Sequence, residues 1–298
     1  MKGSTMKHAY LIVAHNQIEL LKTLIKCLDY SENDIYIHLD KKWDIADTSE
    51  LTNIPKKSNI YILENRLDVK WGNFSQIECE LQLLKTATRK KYQYYHLMSG
   101  VDLPLKSQKE IHKFFDENNG TEFVHFDREK IDPSVYKRVS KYNFFSSRSK
   151  NIFQKCAYKI SMLLQFGVDR GKKYNIELQK GANWFSITDE LARYVVSQEE
   201  KIKKIFKYTI CADEMFLQTV VINSKFAENL SPNNFHSDYS TIQYCIDWKR
   251  GNPYVFRLED YDYLMNSNMC FARKFDWNID NKIIKKISNS VIGDENNG

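Results

Sequence analysis

No stretch of this sequence approaches the ~18 consecutive apolar residues that a membrane-crossing helix requires, so no helical span is expected. Proline and glycine are scarce, at 5 and 10 in 298 residues, and they gather nowhere into a flexible linker. No internal repeat or low-complexity stretch interrupts the chain, which argues for one continuous domain. The 6 cysteines are widely spaced, without a C-x-x-C pair. That spacing fits neither a zinc site nor a small disulfide-stapled fold, and it reads as reduced thiols in a cytoplasmic protein. Neither G-x-G-x-x-G nor G-x-x-x-x-G-K-[ST] occurs, and the 7 histidines form no H-E-x-x-H. A dinucleotide-binding dehydrogenase, a P-loop enzyme and a histidine-bound catalytic metal are all disfavoured.

What is present is the composition of a soluble globular protein, with 42% hydrophobic residues, 13% aromatics and a mean hydropathy of -0.55. The opening MKGSTMKHAYLIVAHN holds only a short apolar run that passes into polar residues, so it reads as a buried first strand and not as a signal peptide. Met6 reads as the natural start. Lys and Arg exceed Asp and Glu by 44 to 38, a formal charge of +6, which favours anionic partners. Residues 136–173 are dense in Lys and Arg interleaved with aromatics, and residues 150–166 carry apolar positions at roughly helical spacing. The plain reading is an amphipathic surface helix packed on the core; the alternative is a helix that lies on an anionic membrane or acceptor. No nucleic-acid-binding module is recognisable. The tail, residues 277–298, begins basic and amphipathic, ends polar, and is expected to fray.

Periodicity gives an alternating order in the first half. Residues 9–14, 34–40, 59–63 and 94–98 read as strands, and residues 17–28, 74–88 and 107–118 as helices, the last capped by Ser107. Such alternation implies an α/β fold with a mostly parallel central sheet flanked by helices. Ligands of these sheets sit at the carboxyl ends of strands, which groups His15, Asn16, His38, Asp40, Ser99 and Asp102 at one edge.

The later half offers fewer signals. GANWFSIT (181–188) reads as a turn running into a strand, with Thr188 capping the next helix. Trp184 there serves either as a sugar-stacking platform or as a core residue. His8 and His112 read as surface or packing residues. CADEMFLQTVV places Asp213 and Glu214 before an apolar run, with Asp213 as the expected cap of a helix over residues 214–221. A D-x-D triplet at Asp260 and Asp262, a pattern that elsewhere holds a divalent metal through a diphosphate, lies outside the alternating half, and no metal site is assigned to it.

In order along the chain, AHN, HLD, WGNFSQIECELQLL, SGVDLPL, GANWFSIT, ADEMFLQTVV and VFRLEDYDYLMNSNMCFARKFD resemble the core-2/I-branching β-1,6-N-acetylglucosaminyltransferase family, glycosyltransferase family 14, which also contains peptide O-xylosyltransferases. The likeness covers residues 6–276. It implies a GT-A-type fold, a UDP-sugar donor, an inverting mechanism and no metal cofactor. It places Glu214 at the catalytic base, His15 and Asp40 along the uridine and ribose, Asp102 near the donor sugar, and Lys274 on the diphosphate, with Lys249 or Arg250 as its basic partner. Asn16 and Ser99 join the donor set by their place at the strand ends; Trp184 and Asp213 form the expected acceptor side. The chain then divides into a nucleotide-binding half (6–125), a basic insertion without clear counterpart in the animal enzymes (126–180), an acceptor and catalytic half (181–276) and the tail.

The activity so implied is transfer of a sugar, GlcNAc first and xylose, glucose or galactose behind it, to a glycan or lipid-linked glycan in bacterial surface polysaccharide synthesis. A cytoplasmic protein, with peripheral contact to the inner face of an anionic membrane as an option, fits this reading. The rival of another class is a non-catalytic basic binding protein for nucleic acid or anionic membrane.

Overall fold

The computed structural model describes residues 7–45, 47–144, 152–232 and 239–296. Met6 and residues 145–151 of the basic stretch lie outside the described residues. Nine strands are present among the described residues: β1 His8–Ala14, β2 Asn33–Leu39, β3 Asn59–Ile62, β4 Tyr94–Ser99, β5 Leu103–Pro104, β6 Phe123–Val124, β7 Phe185–Thr188, β8 Tyr244–Ile246 and β9 Phe271–Arg273.

Six of them form one sheet in the order β3-β2-β1-β4-β7-β6. β1 runs parallel to β2 and β4, and β2 parallel to β3. β7 alone is reversed, pairing antiparallel with β4 on one side and β6 on the other. The sheet is thus mixed and mostly parallel, flanked by helices, and the chain is a single domain. A second, smaller sheet has the order β5-β9-β8.

β2 is buried along its whole length and β1 nearly so, as expected of parallel strands covered on both faces. Tyr10, Ile12, Ile35 and Ile37 meet Leu20, Leu21 and Leu24 of the helix Ile18–Cys27 on one face. Ala9, Leu11 and Tyr36 meet Ile77, Leu81 and Leu84 of the helix Ser75–Ala87 on the other. Each fully buried aliphatic side chain contributes about 1.5–3 kcal/mol relative to exposure. Ser107 caps the helix Gln108–Glu117 in a capping box with Glu110, and Thr188 caps Asp189–Ser197 by accepting from the Leu191 N–H.

Two expectations change. The tail does not fray from its start: the helix Asn281–Asn296 buries Ile283, Ile284 and Ile287 completely in the main core, because these positions form a stripe at i, i+1 and i+4. The helix Ile152–Leu163 does not pack its apolar residues on the core; several point into solvent. His8 and His112 are packing residues, not surface ones, stacked at 3.8 Å between ring centroids beside His96.

Candidate functional site

The ends of β1, β2 and β4 and the segment leading into β7 converge on one edge of the large sheet. With the turn 211–215 and the segment 246–253 they enclose a cleft of about 640 Å³, a volume typical of small-molecule sites. His15 comes directly after β1, Asp40 directly after β2, and Ser99 ends β4; all three line it. Asp40 is buried and held by the N–H groups of Lys42 at 2.8 Å and Val69 at 3.2 Å. His15 is exposed at the rim, and its pKa is lowered. Loss of water around the ring is the main cause; Lys274, Lys42 and Arg273 add to it, and Asp40 opposes it.

An acidic corner lies across the same cleft. Asp213 and Glu214 sit on a 3-10 turn, Ala212–Glu214, ahead of the helix Phe216–Ile222. No side chain caps that helix, so Asp213 is not its cap. One carboxylate oxygen of Asp213 instead accepts from the Gln76 side chain at 3.0 Å, and Gln76 also accepts from the Gly72 N–H. Gly72 has φ +69°, and a side chain there would press on Cys211 Sγ. The other Asp213 oxygen, Oδ1, is buried without a hydrogen-bond partner among the described residues. Burial first, and the Glu214 charge second, push the Asp213 pKa up to about 7.

Glu80, on the helix Ser75–Ala87, is a second buried acid on the cleft wall, and its Oε2 is likewise unpartnered among the described residues. Its pKa is raised, chiefly by burial and then by Asp213, while a hydrogen bond from Asn183 opposes the shift. Glu214 is the accessible member of the trio. Its Oε2 accepts from Arg138 at 3.0 Å and lies 3.6 Å from Lys180 Nζ. The Glu214 carbonyl accepts from the Gly181 N–H at 2.9 Å. Only glycine fits there, since a Cβ would fall 1.8 Å from the His125 carbonyl oxygen.

Arg273 is a cation on the wall, where the sequence points to its neighbour Lys274 instead. Its guanidinium lies 4.3 Å from the centroid of the Trp184 ring and donates to Asp102 at 3.1 Å. Asp102 itself is completely buried behind that wall, where it also accepts from the Ser99 N–H at 2.8 Å and the Tyr244 hydroxyl at 3.3 Å. It anchors Arg273 and does not reach the cleft. Burial raises its pKa to about 6, with Arg273 opposing.

The remaining expected residues separate at the cleft wall. Trp184 lines the cleft beside Arg273; Asn16, His38 and Lys274 do not, although the Lys274 charge is felt at His15. Lys249 and Arg250 are also off the wall. Arg250 is engaged by Asp247 at 2.5 Å and Asp260 at 2.7 Å. The same loop lines the cleft through Trp248, Asn252 and Pro253. Asp260 of the D-x-D triplet is committed to Arg250 and the Arg257 N–H. Among the described residues no group of three His, Cys, Asp or Glu is placed to hold a metal ion.

Lys180, Arg138, Glu80 and Gln76 were missed along with Arg273. Glu80 did carry a signal: it is an acid on the apolar stripe of Ile77, Leu81 and Leu84, where a charge has no packing reason to be.

Fold and cleft together define a class: a single-domain α/β protein with a polar, small-molecule-sized cleft at the carboxyl ends of its parallel strands, acids at one corner and cations at another. The chain belongs to the Core-2/I-Branching enzyme family, whose pattern matches residues 8–267. It is similar to Xylosyltransferase 2 of Rattus norvegicus, with 22% identity over 311 residues that cover 98% of this chain and 34% of that protein. Xylosyltransferase sqv-6 of Caenorhabditis briggsae is 25% identical over 290 residues, covering 89% of this chain and 34% of that protein. The chain therefore spans about a third of the length of the curated relatives it matches. Among solved structures it is similar to mouse xyloside xylosyltransferase 1 in its apo form, at a TM-score of 0.41 and 10% identity over 89% of this chain and 96% of that one. No helix among the described residues is long and apolar enough to cross a membrane.

Proposed function

We propose that this chain is an inverting glycosyltransferase that moves a sugar from a UDP-sugar to a hydroxyl of a glycan or lipid-linked glycan, without a metal cofactor. One observation carries the reading: a cleft-facing carboxylate, Glu214, is oriented by Arg138 and Lys180 in the same cavity that Arg273, Lys42 and His15 line from the other side. An inverting transfer needs these two devices and little else. Glu214 takes the proton of the acceptor hydroxyl as its oxygen bonds to the anomeric carbon. The bond from that carbon to the diphosphate oxygen breaks, and UDP leaves with the electron pair. Arg273 and the neighbouring lysines neutralise the charge that collects there, the task a divalent ion performs elsewhere.

GlcNAc is the donor sugar we favour from the family's branching enzymes, and surface polysaccharide is the proposed destination. The xylosyltransferase names of the relatives support UDP-xylose as the second reading. Thermal unfolding with UDP-GlcNAc, UDP-xylose, UDP-glucose and UDP-galactose, with and without EDTA, tests donor class and metal need together. The donor is expected to raise Tm and to release UDP in the presence of EDTA. No response to any UDP-sugar would overturn the reading, and a strict need for Mn²⁺ would overturn its metal-free part.

A further inference from the structure

We infer that the helix Ile152–Leu163 and the turn after it form a docking surface for a bilayer carrying anionic lipid. An ordinary surface helix turns its aliphatic residues inward; here the order is inverted. Ile152, Ile160, Leu163 and Leu164 are 65%, 57%, 77% and 80% exposed, and Phe166 is 97% exposed. At about 100° per residue the first four fall within an arc of roughly 120°, with Lys155 and Lys159 along its flank.

The turn after the helix is held by polar bonds. Gln165 is buried; its side chain accepts from the Tyr142 N–H at 2.6 Å and donates to the Tyr142 carbonyl at 3.0 Å. Lys141 donates to the carbonyls of Gln165 and Val168 at 2.8 and 2.7 Å. The fully buried Arg170 lies against the Tyr142 ring at 4.4 Å and donates to the Ile205 carbonyl at 2.6 Å. The C-terminal end of the aliphatic arc, with Leu163, Leu164 and Phe166, is therefore presented from a fixed base.

Charge selects the occupant. Residues 133–168 contain no Asp or Glu, and while Arg138 is turned to Glu214 and Lys141 to backbone carbonyls, Lys155 and Lys159 stay exposed beside the arc. Phe144, 56% exposed, extends the apolar surface next to Tyr208, over whose ring Lys207 lies. A second copy of the chain would bring two such cationic surfaces together, which repel. A polyanion such as nucleic acid would satisfy the lysines and leave the aliphatic arc in water. Acidic headgroups over an acyl layer satisfy both. The surface joins directly to the helix Pro133–Ser140, which carries Arg138 to Glu214. A docked bilayer would thus lie beside the cleft, a convenience for lipid-linked acceptors that rests on the transferase reading.

Vesicle flotation without any donor tests the docking independently of that reading. The full chain is expected to float with phosphatidylcholine vesicles that contain phosphatidylglycerol, to float less in high salt, and to stay behind with phosphatidylcholine alone. Replacing Ile160, Leu163, Leu164 and Phe166 together by Ser should lower partitioning more than about tenfold. Each of Lys155→Gln and Lys159→Gln should lower it about fivefold. These side chains are exposed, so Tm and UDP release in solution are expected to match the parent. Failure of the parent to float, or equal flotation of the serine variant, would overturn the inference. So would a parent dimer that the serine variant converts to monomer, since the arc would then be covered by a second copy.

Discussion

Arg138 donates a 3.0 Å hydrogen bond to Glu214 Oε2 from a helix that lies outside the sheet, in the stretch for which the sequence offered no counterpart. With Lys180 near the same oxygen, it holds the carboxylate through two cations.

The first prediction concerns that carboxylate. Glu214→Gln keeps the shape and removes the base, so transfer should fall by ~10²–10⁴-fold, while calorimetric UDP binding stays close to the parent. Retained turnover would remove Glu214 from the mechanism.

Loss of the orienting cation should act on rate before affinity. Arg138→Ala frees the carboxylate to rotate, and kcat is expected to drop by about 10- to 100-fold with a smaller change in donor KM. Arg138→Lys should restore part of the rate. A change confined to donor KM would place Arg138 in binding instead.

Arg273 is both a wall of the cleft and the partner of a buried acid. Arg273→Ala should weaken UDP binding and leave Asp102 unpaired, at a cost of about 3–5 kcal/mol. Burial already raises the Asp102 pKa to about 6 against the pull of Arg273, and without that pull it rises further. Below its folded pKa the acid is protonated and the loss is relieved. The Tm gap between parent and variant should therefore widen as pH rises above about 6. Asp102→Asn should cost less and show no such widening.

Asp213 gives a pH signature of opposite benefit. Its folded pKa, pushed up to about 7, exceeds that of an unfolded aspartate, so the folded state binds the extra proton and stability falls as pH rises between about 4 and 7. Asp213→Asn lacks this loss and can still accept from Gln76. Its Tm relative to the parent should rise across that window and level off above it, by roughly 2 °C or more. A flat difference would place the acid in a wetter setting than the structure gives it.

Gly181→Ala places a methyl group 1.8 Å from the His125 carbonyl oxygen. Urea unfolding should show a loss of about 1–3 kcal/mol or more, with reduced rate in whatever folds, because Gly181 also donates to the Glu214 carbonyl.

The parallel half of the sheet was legible because its strands are short apolar runs separated by amphipathic helices, and each boundary fell within a residue or two of the observed one. Strand ends then led to His15, Asp40 and Ser99, since chain direction alone brings such positions together. Asp102 and Arg250 turn to internal partners, which the sequence position of a turn or loop residue does not reveal. Arg273 and Lys274 are adjacent, and the sequence does not show that the strand ends between them, with Arg273 on the wall and Lys274 beyond it. Arg138 was invisible as a partner of Glu214: a contact across 76 positions leaves no periodic trace. The outward arc of the helix Ile152–Leu163 was misread for a related reason. Spacing shows that a helix has an apolar face, and only the polar anchors at Gln165 and Lys141 show which way that face turns.

The reversed strand β7 has a practical consequence. A strand running with its neighbours delivers its trailing loop to the cleft; one running against them delivers its leading loop. Specificity in this scaffold is therefore open to exchange at the stretches after β1, β2 and β4 and at the stretch before β7, where Lys180, Asn183 and Trp184 reside. A graft placed after β7 would alter only the far edge, at the start of the helix Asp189–Ser197.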